Sequence, residues 1–599
     1  MCGITAYCGN DEALPFLLQG LEKLEYRGYD SAGITILDKS LTTVKCKGRL
    51  QLLVDELEKY DLKGHVGIGH TRWATHGIPS HLNSHPHTND KNTLSLVHNG
   101  IIENYRELKE ELVNKGYHFQ SETDSEVVVH LLDSYYQGNL LKAVQKVLER
   151  IEGSYALCIL STRHPDEIIV TKKDSPLVIG KTKNASVAAS DIPALLAYTK
   201  EVYFIEDNEI AILKANQIHF YDQKGKEITK ESSIIPYDID AARKNGYDTF
   251  MLKEIYEQPY AIKETLRGRI QNETILFEEL KNIDFLQFNK VYFVACGTAY
   301  HACLCGAQIL ERITHLPVLT QVASEFRYND PIIDEHTLTI FVSQSGETAD
   351  TLGALRLAKE KKASTIAITN VLGSTISRDA DYVLYTCAGP EIAVASTKAY
   401  TTQLILLMLF AYYIAQELHL TVNTKAILQL QQVPWYIEKI LEDACQFKEY
   451  ATMLKDKHDA YFIGRSLDYA SVLEGALKLK EVSYIHADAY VAGELKHGPI
   501  ALIEEGSVVI AVATQPHIAS KTISNIQETI ARGADVILLT TNHYQVKNVE
   551  NIYYLPNVEP TLQSILTAIP LQLIAYYSAC IRGCDVDKPR NLAKSVTVE

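Results

Sequence analysis

Several features that would settle a reading quickly are absent from this chain of 599 residues. Its eleven cysteines form no CxxC pair and no short-range framework, so neither zinc ligands nor the disulfides of a small secreted domain are indicated, and a reducing cytoplasm fits best. Basic charge is not in excess: 58 Lys and Arg stand against 74 Asp and Glu, a net of −16. That balance argues against a general binder of nucleic acid or of acidic membranes, although helix ends can still hold small anions. The chain opens directly on a strand-like pattern, without the basic stretch and apolar core of a signal peptide. No apolar run promises a membrane span, since residues 404–415 are too few and residues 565–581 are interrupted by Pro570 and Gln572; both read as buried helices. The 46% hydrophobic and 22% charged composition is that of a soluble globular protein. Its length predicts roughly three to four domains of about 150 residues.

The first 237 residues mix short strand patterns with a few amphipathic helices, which predicts an α+β domain. Helices are expected over 14–24, 103–115 and 125–136, and strands over 33–37, 66–70, 154–161 and 209–213. Residues 71–100 read as loop. Six histidines in or beside this stretch invite a metal reading, but their spacing matches no HExxH or CxxC/HxxxH pattern and no carboxylates alternate with them. Neither a metal nor any other cofactor is called for.

An amide pocket accounts for these residues better. Arg72 can grip an α-carboxylate through two hydrogen bonds, and Asp124 can hold an α-ammonium. Asn99 with the backbone N–H of Gly100 can form an oxyanion hole. Cys2 supplies the nucleophile if Met1 is removed, because its α-amine, with a pKa near ~8, then sits beside a thiol near ~8.5 and serves as general base.

Five ordered blocks carry a resemblance: Cys2-Gly3-Ile4, Tyr26-Arg27-Gly28-Tyr29-Asp30-Ser31-Ala32-Gly33, residues 70–77, His98-Asn99-Gly100 and Glu122-Thr123-Asp124. This half resembles the class II, N-terminal-nucleophile glutamine amidotransferases. The resemblance implies a four-layer αββα glutaminase fold, with Trp73, Thr75 and His76 joining Arg72 and Asp124 around glutamine.

A polar, lysine-bearing stretch over 238–248 reads as a linker, and a helix is expected over 250–266. The second half then repeats itself at an offset near 170 residues. Val291-Tyr292-Phe293-Val294-Ala295 answers to Ala460-Tyr461-Phe462-Ile463-Gly464, Thr365–Thr369 to Val536–Thr540, and Asp381-Tyr382-Val383-Leu384 to Asn551-Ile552-Tyr553-Tyr554. Continuous apolar strands between helix-length segments predict two doubly wound α/β domains with parallel sheets, over 249–430 and 431–584, followed by a tail over 585–599. Ser343-Gln344-Ser345-Gly346-Glu347-Thr348 joins a predicted strand to a predicted helix over 349–361, and converging hydroxyls and N–H groups there suit a phosphate. It is not a P-loop, since the Gly-Lys-Thr ending is missing.

Ala295-Cys296-Gly297-Thr298, the 343–348 loop, residues 390–398, 473–481 and 493–499, and the closing stretch from Asp585 make this half similar to the sugar isomerase domain pair of the glucosamine-6-phosphate synthases, the isomerising glutamine:fructose-6-phosphate aminotransferases. That resemblance spans essentially the whole chain. It implies transfer of ammonia from glutamine to fructose 6-phosphate in a homodimer, the first step of amino-sugar synthesis. It also implies Lys594 as Schiff-base lysine, Glu481 moving a proton between C1 and C2, His497 opening the ring from the neighbouring subunit, and Lys478 assisting the relay. Thr298, Ser343, Gln344, Ser345, Thr348, Val394 and Ser396 would bind the sugar phosphate, and Trp73 and the tail would help close an ammonia passage. Ala299 departs from the pattern, where relatives often carry a serine. The absence of a longer insertion in the linker points to a bacterial-type enzyme without nucleotide-sugar feedback. Other class II amidotransferases would need an SGGxDS-like or phosphoribosyl motif, and a sugar-phosphate-sensing regulator would need a basic DNA-binding segment. Neither is evident.

Overall fold

The computed structural model describes residues 2–74, 76–235, 244–541 and 546–597. Thr75 and residues 236–243, which include the first six of the linker predicted over 238–248, lie outside the described residues. The chain divides into two compact units, Met1–Ala242 together with Ala593–Glu599, and Arg243–Leu592.

The first unit is built on two antiparallel sheets. In the eight-stranded sheet, strand Gly3–Gly9 lies between Val66–Arg72 and Ala185–Ala189. In the seven-stranded sheet, Gly153–Ser161 lies between Leu94–Ile102 and His164–Lys173. Alternation along Gly3–Gly9 sends Ile4, Ala6 and Cys8 inward to meet Val97, Ala156 and Cys158 of the other sheet. The opposite face carries Tyr7 toward Phe16, Leu17 and Leu21 of helix Ala13–Leu24. On the far side, Leu96, Tyr155 and Leu157 are covered by Val128 and Leu131 of helix Glu126–Tyr135 and by Val144 of Leu140–Leu148. Helix, sheet, sheet and helix therefore stack as the expected αββα sandwich.

One expectation fails here. Residues 71–100 are not all loop, because Leu94–Ile102 is a nine-residue strand that carries His98, Asn99 and Gly100. It is covered on both faces, so its sequence lacks the alternation that marks a half-exposed strand.

The second unit contains two five-stranded, wholly parallel sheets. The first orders its strands Val318–Val322, Lys290–Ala295, Thr337–Ser343, Ser364–Thr369, Tyr382–Tyr385. The second repeats that order with His486–Val491, Asp459–Gly464, Val508–Ala513, Asp535–Thr540, Asn551–Tyr554. In each sheet the chain starts at the second position, goes to one edge, then crosses to the other side, so the order reverses between the second and third strands. Ligands of such sheets bind outside the carboxyl ends of the strands at this reversal. In the first sheet that place is flanked by Thr298, just after Lys290–Ala295, and by the 343–348 loop.

One apolar core joins both sheets through helices Lys398–Glu417 and Gln563–Ile581. Both helices have the length and apolarity of a membrane span, and the first extends beyond the apolar run read from the sequence, but 94% and 83% of their apolar windows are buried inside the protein. The helix expected over 250–266 is two, Phe250–Tyr256 and Gln258–Leu266. The break falls at Glu257, two residues before Pro259, which belongs in a first helical turn rather than an interior one.

Helix Gly297–Thr314 packs on Lys398–Glu417 where Gly306 meets Leu407; a Cβ on Gly306 would stand 2.9 Å from the Leu407 Cβ. Gly306→Val should therefore overpack this contact and destabilise the second unit by about 1–3 kcal/mol. In denaturant unfolding of the full chain, Gly306→Val with Leu407→Ala should lose less than the sum of the two single losses, whereas strict additivity would show that the two positions do not compete for space.

Candidate functional site

Cys2 stands at the start of the central strand of the first unit. Gly3 brings it close to its neighbour, since a Cβ there would lie 2.5 Å from Thr71 Oγ1. The Trp73 N–H donates to the Cys2 sulfur at 3.2 Å, and the thiol lies 3.5 Å from the Trp73 carbonyl. Burial pushes the thiol pKa above its ordinary value, while the Trp73 N–H and Arg72 pull the other way. At neutral pH the sulfur is a thiol and needs a base.

Arg72 is buried, and its guanidinium donates to the His76 carbonyl and, at 3.1 Å, to that of Gly77. Burial lowers its pKa, and Cys2, Asp124 and Asp30 act to raise it, so these charges share one neighbourhood. Asp124 is buried and accepts the Ile102 N–H at 2.7 Å. His76 packs edge-on against Tyr105.

The Asn99 side chain donates to the Cys2 carbonyl at 2.9 Å. His70 fixes its orientation: Nε2 faces two acceptors, the His98 carbonyl at 3.0 Å and Asn99 Oδ1 at 3.1 Å, so it carries the proton and leaves the Asn99 amide aimed at Cys2. Gly100 has φ +127°, and a Cβ there would lie 2.1 Å from the Ser154 carbonyl oxygen, so only glycine fits. His70 stacks on His85 at 4.1 Å, and His85 meets His87 edge-on at 4.5 Å. Burial drives the His70 pKa down to about 3 and those of His85 and His87 well below their ordinary value. These rings are neutral scaffolding at physiological pH.

The block Tyr26 to Gly33 gains a physical role. Arg27 forms a buried pair with Asp191 at 2.7 Å, Tyr26 donates to the same carboxylate at 2.5 Å, and Asp30 accepts the Ala74 N–H at 2.8 Å. Tyr29 stands edge-on to Trp73 at 5.6 Å. The Asp191 pair fixes one end of the block, and the Asp30 and Tyr29 contacts hold the 72–74 segment.

In the second unit, Ser343 Oγ lies 3.1 Å from Thr348 Oγ1 and accepts the Gly346 N–H, while Ser345 Oγ accepts the Glu347 N–H. Gly346 sits at φ +68°. Thr348 opens helix Ala349–Glu360 without capping it through its side chain. The Glu347 carboxylate anchors the loop from below, accepting from the backbone N–H and the hydroxyl of Thr375 at 2.8 Å each. Gln344 is tied through its carbonyl to the Asn370 N–H at 3.1 Å, and the Asn370 side chain donates to the Gly389 carbonyl, which leads into the segment that holds Val394 and Ser396. The Val394 N–H donates to the Asp587 carbonyl at 3.0 Å.

Lys478 is 1% exposed and lies 2.6 Å from the Glu481 carboxylate, 3.4 Å from that of Glu474 and 3.0 Å from Thr298 Oγ1. Burial opposes its charge, but Glu474 and Glu481 outweigh that and hold its pKa above the ordinary lysine value. Thr298 thus stands both at the mouth of the first sheet and against the charges on helix Leu467–Ser483. His497 closes a short helical turn, Ala492–His497, and is exposed, away from the Lys478 cluster's pairings. Lys594 falls in the segment grouped with the first unit.

The chain matches the glutamine amidotransferase domain over residues 70–197 and the SIS domain twice, over 284–413 and 453–582. It is 52% identical to a protein of Clostridium tetani named glutamine–fructose-6-phosphate aminotransferase (isomerizing), over 100% of both chains, and equally so to one of Caldanaerobacter subterraneus with the same name. The chain belongs to the isomerising glutamine–fructose-6-phosphate aminotransferase family. The solved C-terminal domain of the Francisella tularensis glucosamine-fructose-6-phosphate aminotransferase is 37% identical, with a TM-score of 0.56 over 58% of this chain and 99% of that one.

For a member of this family, the sequence reading left out two groups that the geometry brings to the site. Glu474 is buried, and its carboxylate takes the Thr298 hydroxyl at 3.0 Å and the His301 ring at 2.8 Å. The signal was available for Glu474, because Glu474, Lys478 and Glu481 stand at helical spacing on one face. His301 had no such signal, since only the fold sets it opposite Glu474.

Lys478→Met should leave the buried Glu474 and the half-buried Glu481 carboxylates without their cation, costing about 3–5 kcal/mol at neutral pH. The raised pKa means that the wild-type contribution is fully present below the ordinary lysine pKa of about 10.4 and fades only at more alkaline pH. The loss should shrink in acid, where the stranded carboxylates can take up protons. Denaturant unfolding at pH 5 and pH 8 checks this, and a loss equal at both would contradict the charge argument.

Proposed function

We propose that the chain converts L-glutamine and D-fructose 6-phosphate to L-glutamate and D-glucosamine 6-phosphate. The observation that carries this reading is the pairing, in one chain, of a half-buried Cys2 thiol beside Arg72, Asp124 and Asn99 with a Lys478–Glu481 ion pair at the mouth of a doubly wound sheet. With Met1 removed, the α-amine of Cys2 takes the thiol proton, the sulfur attacks the glutamine amide, and water later cleaves the thioester. Asn99 and Gly100 stabilise the oxyanion, Arg72 and Asp124 hold the amino-acid end, and Trp73, Thr75 and His76 complete the pocket. The ammonia must be delivered unprotonated, because ammonium has no lone pair.

Ser343, Gln344, Ser345 and Thr348 hold the sugar phosphate, with Thr298, Val394 and Ser396 beside it. His497 opens the ring, Lys594 forms the Schiff base, and Glu481 carries a proton between C1 and C2 while Lys478, paired with it, assists the relay. The exposure of His497 supports its acting in the site of a second copy, which makes the enzyme a homodimer. Eleven free cysteines suit the cytoplasm. The domains would run 1–237, 249–430 and 431–584, with a linker over 238–248 and a tail from 585.

Cys2→Ala, or retention of Met1, should abolish glutamine hydrolysis and leave the isomerisation of fructose 6-phosphate intact, as product analysis with each substrate alone and with both would show. Normal hydrolysis by protein that retains Met1 would refute the terminal base. A second prediction concerns the dimer. His497→Ala and Glu481→Gln should each be inactive as homodimers, yet a mixed dimer should recover activity, because one of its two sites is then intact. A mixed dimer as inactive as its parents would place both residues in the same subunit's site.

A further inference from the structure

The two isomerase domains can be put in register at a residue of unusual backbone. Gly297, φ +55°, follows the first strand of one copy, and Ser466, φ +58°, follows the first strand of the other. This fixes a local offset of 169 and sets Asp468 in the place of Ala299. On the neighbouring strand, Thr337–Ser343 answers to Val508–Ala513, so the loop that begins at Thr514 takes the place of the 343–348 loop.

The occupant of that second loop is the chain itself. The Thr514 N–H donates to Asp468 Oδ2 at 2.8 Å, the Gln515 N–H reaches the same oxygen at 3.4 Å, and the Thr514 hydroxyl donates to Asp468 Oδ1. Asp468 is 2% exposed, and among the described residues no cation pairs with it. A lone carboxylate buried this way is costly unless donors satisfy it, and here the backbone and hydroxyl of the loop supply them. Burial pushes its pKa up to about 6 and the Thr514 and Gln515 donors pull it down, so it is an anion at neutral pH. In the first copy, Ala299 offers only a methyl group, and the loop hydrogen-bonds to its own hydroxyls.

We propose that Asp468 is a built-in stand-in for a phosphate: its carboxylate fills the anion pocket of the second isomerase domain, so each chain holds one sugar-phosphate site instead of two. Removing the carboxylate opens the second pocket to inorganic phosphate. Affinity there is weaker than at the first loop, because Pro516 has no N–H to offer and the glycine of the 343–348 loop has no counterpart.

The count of sites rests on the proposed substrate reading, whereas phosphate uptake at the second loop does not, so the two can fail separately. Calorimetric titration of the full-length dimer with fructose 6-phosphate should give one equivalent per chain; two equivalent sites would overturn the proposal. With fructose 6-phosphate saturating, Asp468→Gly should take up one further equivalent of inorganic phosphate that wild type does not, and a folded variant that takes up none would refute it. Should that variant fail to fold, Asp468→Asn, which keeps the shape and loses the charge, decides the matter by hydrogen exchange. The Thr514 and Gln515 amides should exchange at least several-fold faster than in wild type, and unchanged protection would sink the idea.

Discussion

A single buried ammonium governs the second half of this molecule. Lys478 has almost no contact with solvent, and a cation in that position survives only if carboxylates and hydroxyls come to it. Two carboxylates come from its own helix, at positions 474 and 481, and a hydroxyl comes from Thr298 of the other copy. His301, also of the first copy, closes on Glu474. The ion pairs are internal to one helix, but the remaining hydrogen bonds of Lys478 and Glu474 go to groups of the other copy, and the two copies must keep one relative position for the Thr298 and His301 contacts to exist. The apolar core that runs through both supplies the bulk of the adhesion, while the polar network selects the register.

Close approach plays the corresponding part in the first unit. Gly3 lets the leading strand lie against Thr71, and Gly100 occupies a backbone conformation and a space that no side chain could share. Around these two points, hydrogen bonds run from His70 through Asn99 to Cys2, and from Asp30 to Ala74 beside Trp73. The stacked histidines are kept uncharged by burial, and the one that touches Asn99, His70, aims its amide.

How much of this was legible depended on whether the physical cause was local. The doubled sheet was visible as repeated apolar strands, because strands buried on both faces are apolar throughout. The 343–348 loop was visible as a strand-to-helix junction for a similar reason, since three hydroxyl residues and a glycine there form a compact signal. Leu94–Ile102 escaped because burial on both faces removed the alternation and its polar end looked like loop. His301 escaped because its partner is 173 residues away. The Tyr26 to Gly33 block was conspicuous but mute: that Arg27 exists to pair with Asp191 can be read only from the sandwich that brings them together.

Duplication explains why the two copies diverged in opposite senses. A parallel sheet with this strand order offers an anion site wherever its first and third strands end, so two copies begin with two such sites. Within the proposed function one reaction centre needs one phosphate and several charged side chains, and a second phosphate pocket would hold a dianion without chemistry to perform on it. In the first copy the helix after the first strand begins Gly297-Thr298-Ala299, with no carboxylate at the matching place. In the second, the corresponding turn bears Asp468, and the same helix two turns later carries Glu474, Lys478 and Glu481. An internal carboxylate satisfies the donors of the redundant loop and holds the start of that helix to the sheet. The charges that follow are thereby anchored from the position that corresponds, in the other copy, to the proposed phosphate site.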